Sequence, residues 1–252
     1  MRILSFTPVG GTEILFPPAV EYSISSKRRS ALVNTARADG AYDQFGDTSP
    51  IDMQAITFPF QMICPTIAQE DALRMAMNKR GIIKAFQQDG TLRQTWFKCT
   101  NLEHPRSRAH RNYAEFTVEG MLYPYWRSVY NRSQTVSASP TTINTRGNAD
   151  VYDTLSIVFT ATGSPTSLTL TNGANSYALT WNGSMTAGQT LTIDVPGMQV
   201  TKTGGVAQIG LIAYGAATQI GLFKLGPGSN SITYSITGGG GSFAFSWRDT
   251  WY

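Results

Sequence analysis

Apolar and polar residues alternate with a period of two along much of this chain. Ser167 to Thr171 reads Ser-Leu-Thr-Leu-Thr, and Tyr177 to Trp181 reads Tyr-Ala-Leu-Thr-Trp. That period puts Leu168, Leu170 and Leu179 on a common face, as in half-buried strands. Asn172-Gly173 and Asn182-Gly183 are turn pairs, because Asn and Gly tolerate the positive φ of tight hairpins. Gly226-Pro227-Gly228 and Gly238 to Gly241 mark further turns. Short strands punctuated in this way predict a β-sandwich, with no amphipathic helix after Pro140. Near the end, Phe243-Ala-Phe-Ser-Trp247 sets three aromatics on one strand face. This face predicts a core strand paired with one around Val151 to Phe159, and Arg248, one position on, is expected to point outward and tolerate Lys.

The first half is mixed. Pro50 to Cys64 alternates and reads as a strand, with Pro59 marking an edge or a bulge. Thr66 is an N-cap candidate with Gln69 at the capping-box position. The spacing predicts a helix from about Ile67 to Lys79, with Lys79 and Arg80 at its dipole's negative end and Gly81 as its stop. Ile82 to Phe86, Leu92 to Thr100 and Glu115 to Tyr123 read as strands, the first two joined by an Asp89-Gly90 turn.

Charge divides the chain. Residues 1–132 carry 16 Lys+Arg against 12 Asp+Glu, a balance of +4, whereas residues 133–252 carry 4 and 4 and balance to zero. The small, polar stretch Ser133 to Thr142, with Pro140 near its end, reads as a linker. The expected organisation is therefore 1–132 as one domain, 133–146 as linker and 147–252 as a β-sandwich domain. No charged n-region precedes an apolar h-region, and no apolar run approaches membrane-spanning length, so neither a signal peptide nor a membrane span is expected. Two cysteines, Cys64 and Cys99, imply no disulfide framework and read as buried free thiols, in keeping with cytoplasmic synthesis.

Candidate chemistry is sparse. His104 and His110 are the only histidines, and the second lies between Arg108 and Arg111, which disfavours a bound cation. No nucleophile-elbow, zinc-protease or phosphate-loop motif is present. Lys27-Arg28-Arg29 with Arg37, and Arg106, Arg108 and Arg111, read as solvated loops or contacts to acidic residues such as Asp39, Asp43, Asp47 or Asp52 of a neighbour, rather than as phosphate sites. Tyr123 to Tyr130 reads as a strand end packed on a neighbouring domain or subunit, and Trp181 as a core residue. A glycan hydrolase would need two placed carboxylates, and the second half offers only Asp150, Asp153, Asp194 and Asp249. No catalytic, cofactor-binding or metal-binding residue is expected.

The last hundred or so residues contain Gly147-Asn148-Ala149-Asp150, Leu191-Thr192-Ile193-Asp194, Leu225-Gly226-Pro227-Gly228-Ser229-Asn230-Ser231-Ile232 and a terminal Trp247-Arg248. In this order they resemble the C-terminal domain of the distal tail proteins of long-tailed phages. The resemblance implies a mainly β chain with an N-terminal split-barrel, tail-tube-like module carrying one helix and a C-terminal galectin-like β-sandwich. It implies a non-enzymatic virion protein, made in the host cytoplasm: a homo-hexameric hub ring joining the tail tube protein to the tail hub or tip protein, the tape measure protein and receptor-binding proteins. DNA would pass through the lumen without specific binding, with no membrane or cofactor involved. The galectin sugar-site patterns are absent, and the alternative reading is a carbohydrate-binding module contacting host surface glycans.

Overall fold

The computed structural model describes residues 2–16, 23–25, 32–34, 41–43, 54–63, 66–103, 113–213, 220 and 223–252. His104, His110, Lys27, Arg28, Arg29, Arg37, Arg106, Arg108, Arg111, Asp39, Asp47, Asp52, Cys64 and the strand start at Pro50 to Met53 lie outside the described residues. The chain divides into two compact units, Met1–Trp126 and Arg127–Tyr252.

The first unit contains β1 (Arg2–Pro8), β2 (Ile14–Leu15), β3 (Ser23–Ser25), β4 (Leu32–Asn34), β5 (Ala41–Asp43), β6 (Gln54–Ile63), α1 (Ile67–Met77), β7 (Arg80–Phe86), β8 (Leu92–Glu103) and β9 (Tyr113–Leu122). Its main sheet runs β2-β1-β7-β8-β9-β6-β3, and β4 pairs with β5. The sheet curls as a half-barrel, the expected split-barrel module with one helix among the described residues. Alternation directs Ile3, Phe6, Ile56, Phe58, Ile83, Phe97, Phe116 and Val118 inward, each at 5% exposure or less. Their rings interlock: Phe6 meets Phe97 edge-on at 5.6 Å, and Phe60 stacks on Phe116 at 5.1 Å. Gly81 and Gly120 admit this layer, because a Cβ at either would collide with the ring of Phe6 or Phe97. Pro59 lies on β6 beyond the Ser23–Ser25 pairing, so among the described residues its outer side is an edge.

The capping box forms as expected: Thr66 Oγ1 accepts from the Gln69 N–H at 3.2 Å, and the Gln69 side chain accepts from the Thr66 N–H at 2.8 Å. The helix ends at Met77, earlier than expected, with Asn78 as its C-cap. Lys79 and Gly81 therefore do not close it, and Gly81 serves inside β7. At the β7–β8 turn, Asp89 accepts from the Thr91 N–H at 2.9 Å and Gly90 takes φ +76°.

The chain passes between units within β10 (Trp126–Ser128). The second unit continues with β11 (Arg132–Val136), β12 (Thr141–Asn144), β13 (Ser156–Ala161), β14 (Ser167–Asn172), β15 (Tyr177–Asn182), β16 (Thr190–Asp194), β17 (Gln199–Lys202), β18 (Val206–Ala207), β19 (Ser229–Thr237), β20 (Gly241–Trp247) and β21 (Thr250–Trp251). Two sheets, β11-β20-β13-β16-β17-β18 and β12-β19-β14-β15, enclose one apolar core. The predicted pairing is present: Phe245 faces Ile157 and Phe243 faces Phe159 across β20 and β13. Phe243, Phe245 and Trp247 are buried.

The expected linker at 133–146 is corrected. β11 pairs with β20 and β12 with β19, so this stretch supplies one strand to each sheet of the sandwich. Both are polar edge strands anchored by a single buried side chain, Val136 or Ile143, which leaves little alternation to read.

Candidate assembly surface

The motif residues of the second unit converge on its own backbone. Asn230 is fully buried. Its Nδ2 donates to the carbonyls of Gly226 at 2.9 Å and Gly228 at 3.2 Å, while its Oδ1 accepts from the Gly226 N–H at 2.7 Å. It also accepts from Asn172 Nδ2 at 2.9 Å, and Asn172 donates to the Lys224 carbonyl at 2.8 Å. The Gly-Pro-Gly-Ser-Asn loop is thus fastened by two buried amides whose bonding capacity is well used.

The terminal Trp-Arg-Asp forms a second fastening. Asp249, 3% exposed, accepts from the Trp247 indole N–H at 3.2 Å, the Arg146 N–H at 3.0 Å and the Arg132 guanidinium at 3.3 Å. Arg132 also reaches the Asn144 carbonyl at 2.9 Å. Beside it, the Gly147 Cα approaches the Thr250 backbone so closely that a Cβ would clash, and the Ala149 N–H donates to the Thr250 carbonyl at 3.1 Å. Asn148 accepts from the Tyr252 N–H at 2.9 Å. Arg248 corrects an expectation: its guanidinium is half-buried and donates to the carbonyls of Ser128 at 3.4 Å and Val129 at 3.0 Å. A single nitrogen, Nη1, makes both contacts, so the side chain is engaged by its own unit rather than free in solvent.

Three of the four carboxylates considered for hydrolysis are engaged by separate cations. Asp150 pairs with Lys224 at 2.6 Å, and Asp249 with Arg132. Asp153 pairs with Arg127, yet burial pushes its carboxyl above the ordinary range and outweighs the opposing pull of the guanidinium. Among the described residues, one oxygen of Asp153 and Arg127 Nε are buried without a partner. The Asp194 carboxylate lies against Gly197. Trp181 is fully buried, as expected of a core residue. The Tyr123–Tyr130 run builds no platform: Trp126 is buried, the Tyr123 ring faces Arg80, and Tyr130 is 70% exposed.

Cys99 is half-buried rather than buried. Its thiol sits at a bulge between β8 and β9, donates to the Asn101 carbonyl at 3.2 Å, and is shifted upward by burial, away from the reactive thiolate. The first unit instead shows an apolar groove of about 860 Å³ between the β1–β2 turn, the end of β6 and α1, lined among others by Ile14, Leu15, Phe60, Leu73 and Met75. Leu15 and Met75 are each 70% exposed and Ile67 79%. Isolated exposed apolar residues are ordinary, but a lined groove beside a short edge strand is the kind of surface that assembly covers.

A curled sheet with one flanking helix, followed by a sandwich locked by its own motif residues, defines a two-module β scaffold. Residues 146–251 match the family described as siphovirus-type tail component, C-terminal domain. The resemblance of the sequence to distal tail proteins is thus supported over the second unit. The crystal structure of the Dit protein of phage SPP1, described as a paradigm of hub adsorption apparatus in phages infecting Gram-positive hosts, is similar over 100% of this chain and 99% of that one. Its identity is 11% and its TM-score 0.64. A chain of the phage P2 baseplate in its activated conformation with calcium is similar over 99% and 98%, at 7% identity and TM-score 0.54. No curated protein matches the sequence.

Proposed function

We propose that this chain is a distal tail hub. Copies of the first unit close into a homo-hexameric ring that joins the tail tube protein to the tail tip or baseplate, and the second unit carries receptor-binding components. DNA leaves through the ring without specific binding, and the chain performs no catalysis. The observation that carries this reading is the match of residues 146–251 to a tail component family, together with a fold shared over the whole length with a phage hub protein. The site supports it physically. The second unit's carboxylates and buried amides are spent on holding loops and termini, which suits a scaffold. The first unit offers a groove and edge strands, the surfaces from which heterologous contacts that close into rings are built.

Phage particles probed with an antibody against the second unit test this. Label at the end of the tail distal to the capsid is expected. Particles that lack the chain, or label spread along the tail shaft, would overturn the reading.

A further inference from the structure

The β7–β8 hairpin holds two cations in an unfavourable arrangement. Its register places Arg80 directly opposite Lys98, and both side chains are exposed. Like charges facing each other across an antiparallel pair destabilise it. The other cations of this hairpin are matched: Lys84 lies 2.9 Å from Glu13, and Arg93 lies 2.5 Å from Asp89. Neither Arg80 nor Lys98 forms an ion pair among the described residues. Glu119, two positions along β9 from Met121 opposite Lys98, accepts from Asn101 at 3.5 Å instead.

Arg80 is also held in place. Its guanidinium lies 4.2 Å over the Trp96 ring and 5.3 Å from the Tyr123 ring. The Tyr123 N–H donates to the Trp96 carbonyl at 2.9 Å, and Thr95 Oγ1 donates to the Tyr123 and Tyr125 carbonyls at 3.2 and 2.8 Å, which fixes this aromatic frame. Cation–π contact holds the guanidinium through its charge and uses none of its N–H donors in a hydrogen bond to oxygen, so they are open to an anion. A held guanidinium beside a second cation suits the two oxygens of a carboxylate.

We propose that Arg80 and Lys98, framed by Trp96 and Tyr123, form a docking patch for a carboxylate-bearing segment of another polypeptide. The surroundings select against nucleic acid. Glu115 and Glu119 on β9 and Glu103 at the end of β8 lie on the same outer face of the sheet, where they repel a continuous polyanion but complement a segment of mixed charge. The proposal does not rest on ring formation.

The test uses the full chain and a labelled peptide with a central pair of glutamates flanked by lysines, read by fluorescence anisotropy. Binding that weakens with salt is expected, with its Gln analogue and a short labelled DNA duplex both weaker. Arg80→Gln and Lys98→Gln should each weaken the peptide about tenfold. Lys98→Glu should abolish binding while raising Tm by about 1–3 °C, because it converts a like-charge pair into an ion pair. Absence of peptide binding, DNA binding as tight as the peptide's, peptide binding indifferent to Arg80→Gln, or a lowered Tm in Lys98→Glu would each overturn the proposal.

Discussion

The first unit fills its core with the rings of Phe6, Phe16, Phe58, Phe60, Phe97 and Phe116, and its buried polar residues, among those described, are Ser5 and Thr95. The second unit combines a comparable apolar core with buried Asn172, Asn230 and Asp249, each tied into a hydrogen-bond network. Hydrophobic burial is non-directional and accepts many arrangements, whereas a satisfied buried amide or carboxylate accepts few. The sandwich therefore fixes its loops and its C-terminus in one geometry. The half-barrel holds its shape by ring packing and leaves a groove and unmatched cations on its outside. This contrast separates a module whose buried polar groups hold its own loops from one that leaves a groove and cations unused.

The largest expected effects test whether the two cores are separate. Phe97→Ala in the first unit and Phe245→Ala in the second should each cost about 3–5 kcal/mol, the usual cost of emptying a buried aromatic site. Calorimetry of the full chain should show each change lowering one transition and sparing the other. Equal lowering of a single shared transition would erase the distinction between units. Next in size, Asp249→Ala strands the Trp247 indole N–H and the Arg146 N–H and frees Arg132, at a cost of about 2–4 kcal/mol. Asp249→Asn, which keeps an acceptor, should recover a measurable part of that loss in urea melts. If both variants match the parent, the polar fastening contributes nothing and the contrast fails. Thr66→Ala removes the cap of α1 and should cost about 1 kcal/mol, confined to the first unit.

The smallest effect separates the units by pH. Glu13 in the first unit is held below its ordinary range, first by Ser5 and then by Lys84, so its contribution is present above the unfolded value and lost as pH falls through the folded one. Asp153 in the second unit is raised by burial, so the folded state binds its proton more tightly than the unfolded state does. Its contribution therefore grows as pH falls through the raised value toward the ordinary one. Mild acid should shift the balance of stability toward the second unit, and Asp153→Asn should remove that unit's share of the trend. A pH profile unchanged by Asp153→Asn would contradict the assignment.

Much of this was legible where chemistry is local. Thr66 with Gln69, Asp89 with Gly90, and the Phe243-Phe245-Trp247 face each act through neighbours in sequence, and the structure agrees with them. The strands at 132–144 were hidden because an edge strand exposes most of its side chains and needs only Val136 or Ile143 as anchor. The role of Arg248 was hidden because its acceptors, Ser128 and Val129, lie more than a hundred positions away. The juxtaposition of Arg80 and Lys98 depends on strand register, which alternation alone does not give. The Asn230 fastening was visible only as a motif, and its mechanism needed the loop that closes around it.

Native mass spectrometry of the purified full chain tests the hub reading most directly. A single closed homo-hexamer, dispersed by substitutions in the Leu15–Met75 groove but not by Phe245→Ala, is the expected result. A monomer at every concentration that binds host glycans through the second unit would contradict it.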